Sequence, residues 1–542
     1  MQRSDSRASY RSEAAVGPTR PVWPDEPAES PCREAGGCGS RAAPWGRRSS
    51  IWLPWVRLPE MRVPGSRLHG SGRQRSWCRP LPSWLGRIVL AAVAVMLWQA
   101  GVGFGEERFP PPDFTYHKMP ETPVPPPDSP LWELADTAAL LVALVVAAYL
   151  ALGRRSRNGL LILAAVSLLW FGFRRQGCVC SIGAIQDVAE AAFNVHRAVP
   201  VTVIIFFSLP IVFALFFGRA FCAAVCPLGA IQELAAIRPQ HLPLWLEHTL
   251  GIVPWVYLGL AVLYAATGTA YVICEYDPFV AFFRRSGAAS MLTFGACLLV
   301  IGMFIGRPYC RFLCPYGVIL GLASKLARWH VRIPPTACIR CRLCEDACPY
   351  GAIVSPPSPL SPGERRKARR RLLLFLAAIP LWMALGAAVG RMSHATLARM
   401  DYQVRLAGWL AAEKEIDPNN KFALDAVRAF QNTGRSPSEV FATAAARLDL
   451  FRTGGTLLGV WIGLVVGLKL AQLCTRTHRD DYHPDPRRCV ACGRCFWYCP
   501  EEQVRRGWIQ SVEAVLPQGT AVPLTAIAPR EPRGAEPRRE GE

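Results

Sequence analysis

The chain has 542 residues, of which 51% are hydrophobic and only 19% charged, and its formal net charge is +21 at pH 7. This balance excludes a disordered polar chain and fits a protein with membrane spans, long enough for more than one domain. The positive excess is confined to particular loops and no basic helix is interleaved with aromatics, so it reads as membrane topology and not as nucleic-acid binding.

Residues 1–83 are rich in Arg, Pro, Gly and Ser without a sustained apolar period, and read as a disordered basic region. Arg47-Arg48 ahead of Ile51-Trp52-Leu53 faintly resembles a twin-arginine signal, but no apolar core follows directly; Met61 is an alternative start, and Cys32, Cys38 and Cys78 read as incidental. Eight apolar segments are then long enough for a hydrocarbon core of about 30 Å: 84–104, 131–152, 158–173, 199–217, 250–272, 289–306, 371–390 and 455–474. The first also suits a signal peptide, although its long basic leader points to an anchor.

The loops between them are basic at 153–157 and 306–371, whereas 105–130 is acidic and proline-rich and 392–453 is nearly charge-balanced. With both termini inside, every basic loop falls on the cytoplasmic face of a bacterial inner membrane. Segment 392–453 reads as an external insertion, with amphipathic helices between Glu413 and Leu450 and turns at Asp417-Pro418-Asn419-Asn420 and Thr433-Gly434. It suits a docking platform or a plain helical spacer.

The 20 cysteines are mostly clustered, which favours metal ligation over disulfides. Two runs, Cys338-Ile-Arg-Cys341-Arg-Leu-Cys344-Glu-Asp-Ala-Cys348-Pro349 and Cys489-Val-Ala-Cys492-Gly-Arg-Cys495-Phe-Trp-Tyr-Cys499-Pro500, have the C-x2-C-x2-C-x3-C-P spacing that wraps a [4Fe–4S] cube. Paired C-x2-C units also hold zinc, but the three-cysteine core and the terminal Cys-Pro argue for cubes. Two cubes are therefore expected, held by Cys338, Cys341, Cys344, Cys348, Cys489, Cys492, Cys495 and Cys499. Cluster assembly needs a reducing compartment, which agrees with the cytoplasmic placement from charge. The fourth cysteine of each ladder either serves its own cube or completes the other, as in compact two-cluster ferredoxins.

A second pattern, cysteine then usually proline, any residue and glycine, recurs at Cys226-Pro227-Leu228-Gly229, Cys314-Pro315-Tyr316-Gly317 and Cys348-Pro349-Tyr350-Gly351, with a variant at Cys180-Ser181-Ile182-Gly183. Gln186 follows the variant as Gln232 follows the first copy. Proline at the first helical position puts the cysteine at the N-cap, where the dipole and free N–H groups favour a thiolate. Two copies extend upstream to C-x3-C-P after Gly218-Arg219 and Gly306-Arg307, which reads as an internal duplication converging Cys222, Cys226, Cys310 and Cys314. A third metal or cluster site, a redox dithiol pair and structural helix-start cysteines all stay open for these four. Cys178, Cys180 and Cys274 are expected on the external face, as a metal or cluster relay or a disulfide. Haem is not indicated, since no C-x2-C-H is present, and His196 and His248 read as interfacial.

These motifs, with Asp277-Pro278-Phe279, resemble the NosR/NapH-type polyferredoxin membrane proteins over about 159–505. The resemblance implies an electron conduit between the quinone pool or a cytoplasmic donor and an external flavoprotein or reductase. No flavinylation motif is present, so any flavin is expected on a partner. The extra spans and the 392–453 insertion depart from NapH-like members, so the acceptor is not carried over.

The expected architecture is an all-α polytopic membrane protein of about eight spans with a small cytoplasmic ferredoxin-like bicluster domain. Its parts are 1–83, a membrane core 84–330, a first ferredoxin segment 331–370, a hairpin 371–474, a second ferredoxin segment 475–510 and a disordered tail 511–542. An assembly factor that reduces a metal or disulfide in another complex, and a redox sensor, are the alternative functions. An electron-transfer component is favoured over a stand-alone enzyme, and no general acid or base is identifiable.

Overall fold

The computed structural model describes residues 129–512 except 177–179, 195–196, 238, 286–287, 335–337, 357–360, 413–415, 417–419 and 476–480, all within the unit Ser76–Glu542. The expected first span, the 1–83 region, most of the C-terminal tail, Cys178 and His196 lie outside the described residues.

Among the described residues, five helices are long and apolar enough to cross a membrane: α1 (Pro130–Gly153), α2 (Arg157–Arg174), α4 (Trp245–Ala266), α6 (Pro362–Met392) and α7 (Pro437–Leu473). Two apolar helices are shorter, α3 (Val201–Phe217) and α5 (Ala289–Gly302). At 1.5 Å per residue the latter two reach only about 25 and 21 Å. Each ends in a sharp turn, Gly218 at φ 69° after α3 and Arg307 at φ 49° shortly after α5, which starts the C-x3-C-P stretch.

Two expected spans prove to be parts of longer helices. Helix α6 starts at a capping box, with Ser361 and Glu364 bonding each other's backbone N–H and Pro362 at the first position, so the basic run Arg365–Arg371 is helical. Helix α7 is 37 residues long and begins inside the insertion, capped by the Ser436 side chain; no proline interrupts it. Gly386 and Gly390 of α6 face Gly455, Gly459 and Gly463 of α7, and a Cβ at any of them would run into the other helix's backbone. This small-xxx-small register lets two apolar helices associate by close packing where lipid offers no hydrophobic drive.

Chain direction alternates along the bundle, so one end gathers residues 153–157, 218–247 and 303–330. Onto that end fold the two ferredoxin segments, which pair as one antiparallel ladder, Ile353 opposite Pro484 and Val354 opposite His483. Their shared core contains Ile333, Cys344, Cys348, Tyr350, Tyr482, Val490 and Cys499. At the other end, Asp136 is 2% exposed and pairs with Arg174 at 2.6 Å and Arg175 at 2.9 Å, closing the α1–α2 hairpin.

Between α4 and α5 the chain does not stay at that far end. Residues 272–283 turn back between the helices: the Tyr257 hydroxyl, midway along α4, donates to the Val272 carbonyl at 3.4 Å. Gly295, midway along α5, has no room for a Cβ against the Pro278 carbonyl and the Phe282 ring. Ile273, Phe279 and Phe283 of this segment are at most 1% exposed, whereas Cys274, Glu275 and Tyr276 between them are exposed.

Gly459→Leu is expected to force α6 and α7 apart, costing about 1–3 kcal/mol by overpacking. The melting temperature of the detergent-solubilised protein should fall, while Gly408→Leu, where a Cβ meets nothing, should leave it unchanged.

Candidate iron–sulfur centres

The two ladders exchange their fourth cysteines. Cys338, Cys341, Cys344 and Cys499 line one small cavity with Ile333 and Tyr482. Burial pushes the Cys344 thiol up to about 12, with Cys341, Cys338 and Cys499 adding to it. The second group is Cys348 with Cys489, Cys492 and Cys495: burial raises Cys495, and the nearby thiols Cys489, Cys492 and Cys348 raise it further. Cys344 also acts on Cys495, which places the two groups side by side. Short helices Leu343–Ala347 and Arg494–Tyr498 pack together to bring this about.

The C-x3-C-P cysteines form a third convergence. Cys226 and Cys314 cap the helices Pro227–Ala235 and Pro315–Ala323, and the Gly317 N–H donates to the Cys314 sulfur at 3.3 Å. Burial raises the Cys226 thiol well above its usual value, followed by Cys310, Cys222 and Cys314. The duplicated halves exchange arginines. Arg307 donates to the Cys222 carbonyl and, at 3.1 Å, to that of Ala223, while Arg219 crosses to Gly317 and donates to the Arg487 carbonyl at 2.9 Å. A Cβ at Gly229 would sit 3.3 Å from Arg307, and one at Gly317 3.1 Å from Arg219, so each repeat's glycine makes room for the other's guanidinium. Arg219 acts on both Cys310 and Cys489, so this charge stands between the third group and the ferredoxin domain.

These groups fit iron–sulfur clusters by their donors, all thiols in protein-enclosed positions. Burial and mutual repulsion oppose the thiolate in each group, and cationic iron supplies the missing counter-charge. Among the described residues no three His, Cys, Asp or Glu side chains are gathered closely enough for a single metal ion.

Three carboxylates hold the ferredoxin domain on the bundle. Glu233 is 4% exposed and meets Arg307 at 2.9 Å, Arg157 at 3.0 Å and Arg494 at 3.1 Å, and it accepts from the Tyr350 hydroxyl at 2.6 Å. Burial works to raise its pKa, but Arg307, Arg494 and Arg157 overcome this and hold the carboxyl well below the usual range. Glu247 binds Arg311 at 2.8 Å and Arg488 at 3.0 Å. Glu502 binds Arg155 at 3.1 Å and Arg506 at 2.8 Å. None of the three stands out in the sequence; the only signal for Glu233 is an acidic residue on an otherwise apolar helix directly after a C-x3-C-P motif.

Of the remaining candidates, Cys180 is half-buried and Cys274 exposed, and both sulfurs flank Gly183.

Two family models, each described as a 4Fe-4S binding domain, match the chain, one over 199–244 and 288–334 and the other over 331–354. The first match contains both C-x3-C-P pairs, the second contains the first ladder, and the second ladder lies outside both. NirI of Paracoccus denitrificans is 31% identical over 39% of this chain and 33% of its own length. YccM of Escherichia coli, named for electron transport, is 31% identical over 29% of this chain and 47% of its own. An uncharacterised protein of Methanocaldococcus jannaschii is 26% identical over 33% of this chain and 77% of its own. The matches to NirI and YccM thus span less than half of those proteins. No solved structure matches the chain.

Glu233→Gln is expected to cost about 3–5 kcal/mol, because it strands buried arginines, and to loosen the ferredoxin domain, seen as faster hydrogen exchange in 338–354 and 489–505. Because the folded pKa is depressed, Glu233 stabilises fully above the unfolded glutamate value of about 4.3, and this is lost as pH falls through the folded value. The variant's stability should fall less over that acid window than the wild type's.

The chain is therefore similar over part of its length to NirI and to YccM, and it carries two stretches that match 4Fe-4S binding domains.

Proposed function

We propose that the chain is an inner-membrane conduit that passes electrons between a cytoplasmic or quinol donor and an external flavoprotein or reductase. The exchanged cysteine groups carry this reading: Cys338, Cys341, Cys344 and Cys499 hold one [4Fe–4S] cube, and Cys348, Cys489, Cys492 and Cys495 hold the other. Cys222, Cys226, Cys310 and Cys314 hold a third centre against the membrane. When bound, the cubes supply one-electron reduction and reoxidation.

The chain's own residues set the environment. Arg219 and Arg307 offset negative charge on the thiolates between the second and third groups. Glu233, Glu247 and Glu502 fix the ferredoxin domain over the third group, so the spacing between the groups is rigid. A cavity beside Cys310 and Cys314 extends to Trp255, Lys469 and Leu473 on α4 and α7, which supports entry of a quinol from the membrane. The ladder end of the bundle also carries the basic segments around Arg155, Arg307 and Arg365–Arg371, which supports a cytoplasmic ferredoxin domain and cytoplasmic termini.

The exchange makes a prediction that two self-contained ladders do not. In anaerobically purified protein, Cys344→Ser and Cys499→Ser should abolish the same EPR signal, with loss of about four irons each. Cys348→Ser and Cys492→Ser should abolish the other. If Cys499→Ser removed the Cys489–Cys495 signal instead, the ladders would be independent.

A further inference from the structure

The two C-x3-C-P repeats place an arginine alike and balance its charge differently. Matched cysteine to cysteine, Arg219 corresponds to Arg307, Gly229 to Gly317 and Glu233 to Gly321. A Cβ at Gly229 would meet the Arg307 Nη1 at 3.3 Å, the Cys222 carbonyl at 3.5 Å and the Cys226 Cβ at 3.8 Å. One at Gly317 would meet the Arg219 Nη2 at 3.1 Å, the Cys310 carbonyl at 3.3 Å and the Cys314 Cβ at 3.7 Å. Each guanidinium therefore lies at the helix start of the opposite repeat, against both of that repeat's cysteines. The Gly317 N–H donates to the Cys314 sulfur at 3.3 Å, so this sulfur and the Arg219 charge meet at one glycine.

Charge balance separates the pair. Arg307, 1% exposed, has its Nε 2.9 Å from the Glu233 carboxylate and its other nitrogens on the Cys222 and Ala223 carbonyls. Arg219, 8% exposed, donates to the Arg487 carbonyl at 2.9 Å, and among the described residues no carboxylate forms an ion pair with it. Where the first repeat has Glu233, the second has Gly321, whose Cβ would face that same carbonyl at 3.4 Å. Water or a carbonyl can satisfy the N–H groups of a guanidinium, but neither cancels its charge. A centre that gains an electron becomes more negative, so a fixed, buried, uncancelled cation beside it favours the reduced state. Net charge and exclusion of solvent are what set the potential of an iron–sulfur centre.

We infer that Arg219 sets the reduction potential of the centre held by Cys222, Cys226, Cys310 and Cys314, and that Gly321, standing where the other repeat has a carboxylate, leaves this charge free to do so. The inference rests on the electron-transfer reading and extends it: of two equivalent arginines, Arg307 anchors the ferredoxin domain and Arg219 tunes the centre. Arg219 also holds the Arg487 carbonyl, close before Cys489 in the chain, so its effect reaches the Cys348, Cys489, Cys492 and Cys495 group in weaker form. Its bonds touch no part of the Cys338, Cys341, Cys344 and Cys499 group, which serves as an internal reference.

The test is a redox titration followed by EPR on the full chain, purified anaerobically, with iron counted in every variant. Arg219→Gln should lower the midpoint of the membrane-side centre by at least about 59 mV, a tenfold change in its one-electron equilibrium. The same variant should shift the Cys348 group less and leave the Cys338 group where it was. Arg219→Lys, which keeps the charge, should recover most of the shift, as it would not if the side chain were merely structural. If Arg219→Gln does not fold, Gly321→Glu set against Gly321→Gln keeps the arginine and asks the same question: both crowd the Arg487 carbonyl, and only the glutamate should lower the midpoint. An unchanged midpoint in Arg219→Gln at full iron content, an Arg219→Lys protein shifted as far as the glutamine variant, or equal midpoints in the two Gly321 variants would each overturn the inference. Failure of the underlying reading would show separately, as iron unchanged in Cys226→Ser/Cys314→Ser, which would remove the centre itself.

Discussion

The buried Glu233 carboxylate is the constraint on which the rest of the arrangement depends. It sits at the junction of four pieces of chain far apart in sequence: Arg157 at the start of α2, Arg307 after α5, Tyr350 in the first ladder and Arg494 in the second. One carboxylate among three guanidiniums repays its desolvation only with close, multiple hydrogen bonds, and here its oxygens have them. The bond to Arg307 also orients that side chain toward the Cys222 and Ala223 carbonyls, so the anchor of the ferredoxin domain and the frame of the C-x3-C-P group are one network. Breaking it would disturb both the docking and the spacing between thiol groups.

The duplication gives the membrane-side group its form. The two halves are not identical. Glu233 in the first helix corresponds to Gly321 in the second, where a Cβ would lie 3.4 Å from the Arg487 carbonyl, and Arg219 donates to that same carbonyl. One repeat thus uses a carboxylate to hold the opposite arginine, and the other makes room for a backbone carbonyl from the second ferredoxin segment. Pseudo-symmetry is broken at the place where the ferredoxin domain docks.

Arginines of the basic loops serve as sockets. Arg155, Arg157, Arg307 and Arg311 lie in the basic loops, and each pairs with a buried carboxylate at the interface with the ferredoxin domain. Basic residues at this end of the bundle therefore serve docking, and the partner carboxylates keep this crowded positive surface from repelling itself.

Much was legible in the sequence because it is local. Ladder spacing, the paired C-x3-C-P motifs, the apolar runs and the Thr433-Gly434 turn depend on near neighbours, and among the described residues helices lie on the expected apolar runs, five of them long enough to cross a membrane. The uninterrupted α7 and the facing glycines of α6 and α7 were present in the sequence as an absence of proline and a four-residue glycine spacing, yet their meaning depends on which helix lies opposite. The sequence by itself determined which side chains can bind iron and which segments can be membrane helices, since thiol spacing and hydrophobic length are properties of short stretches. Only the tertiary structure decided that Cys499 joins Cys338, Cys341 and Cys344, that Glu233 is an anchor, and that residues 272–283 turn back between α4 and α5. Each of these is a contact between residues tens to hundreds of positions apart, and no local periodicity encodes where a chain returns to meet itself.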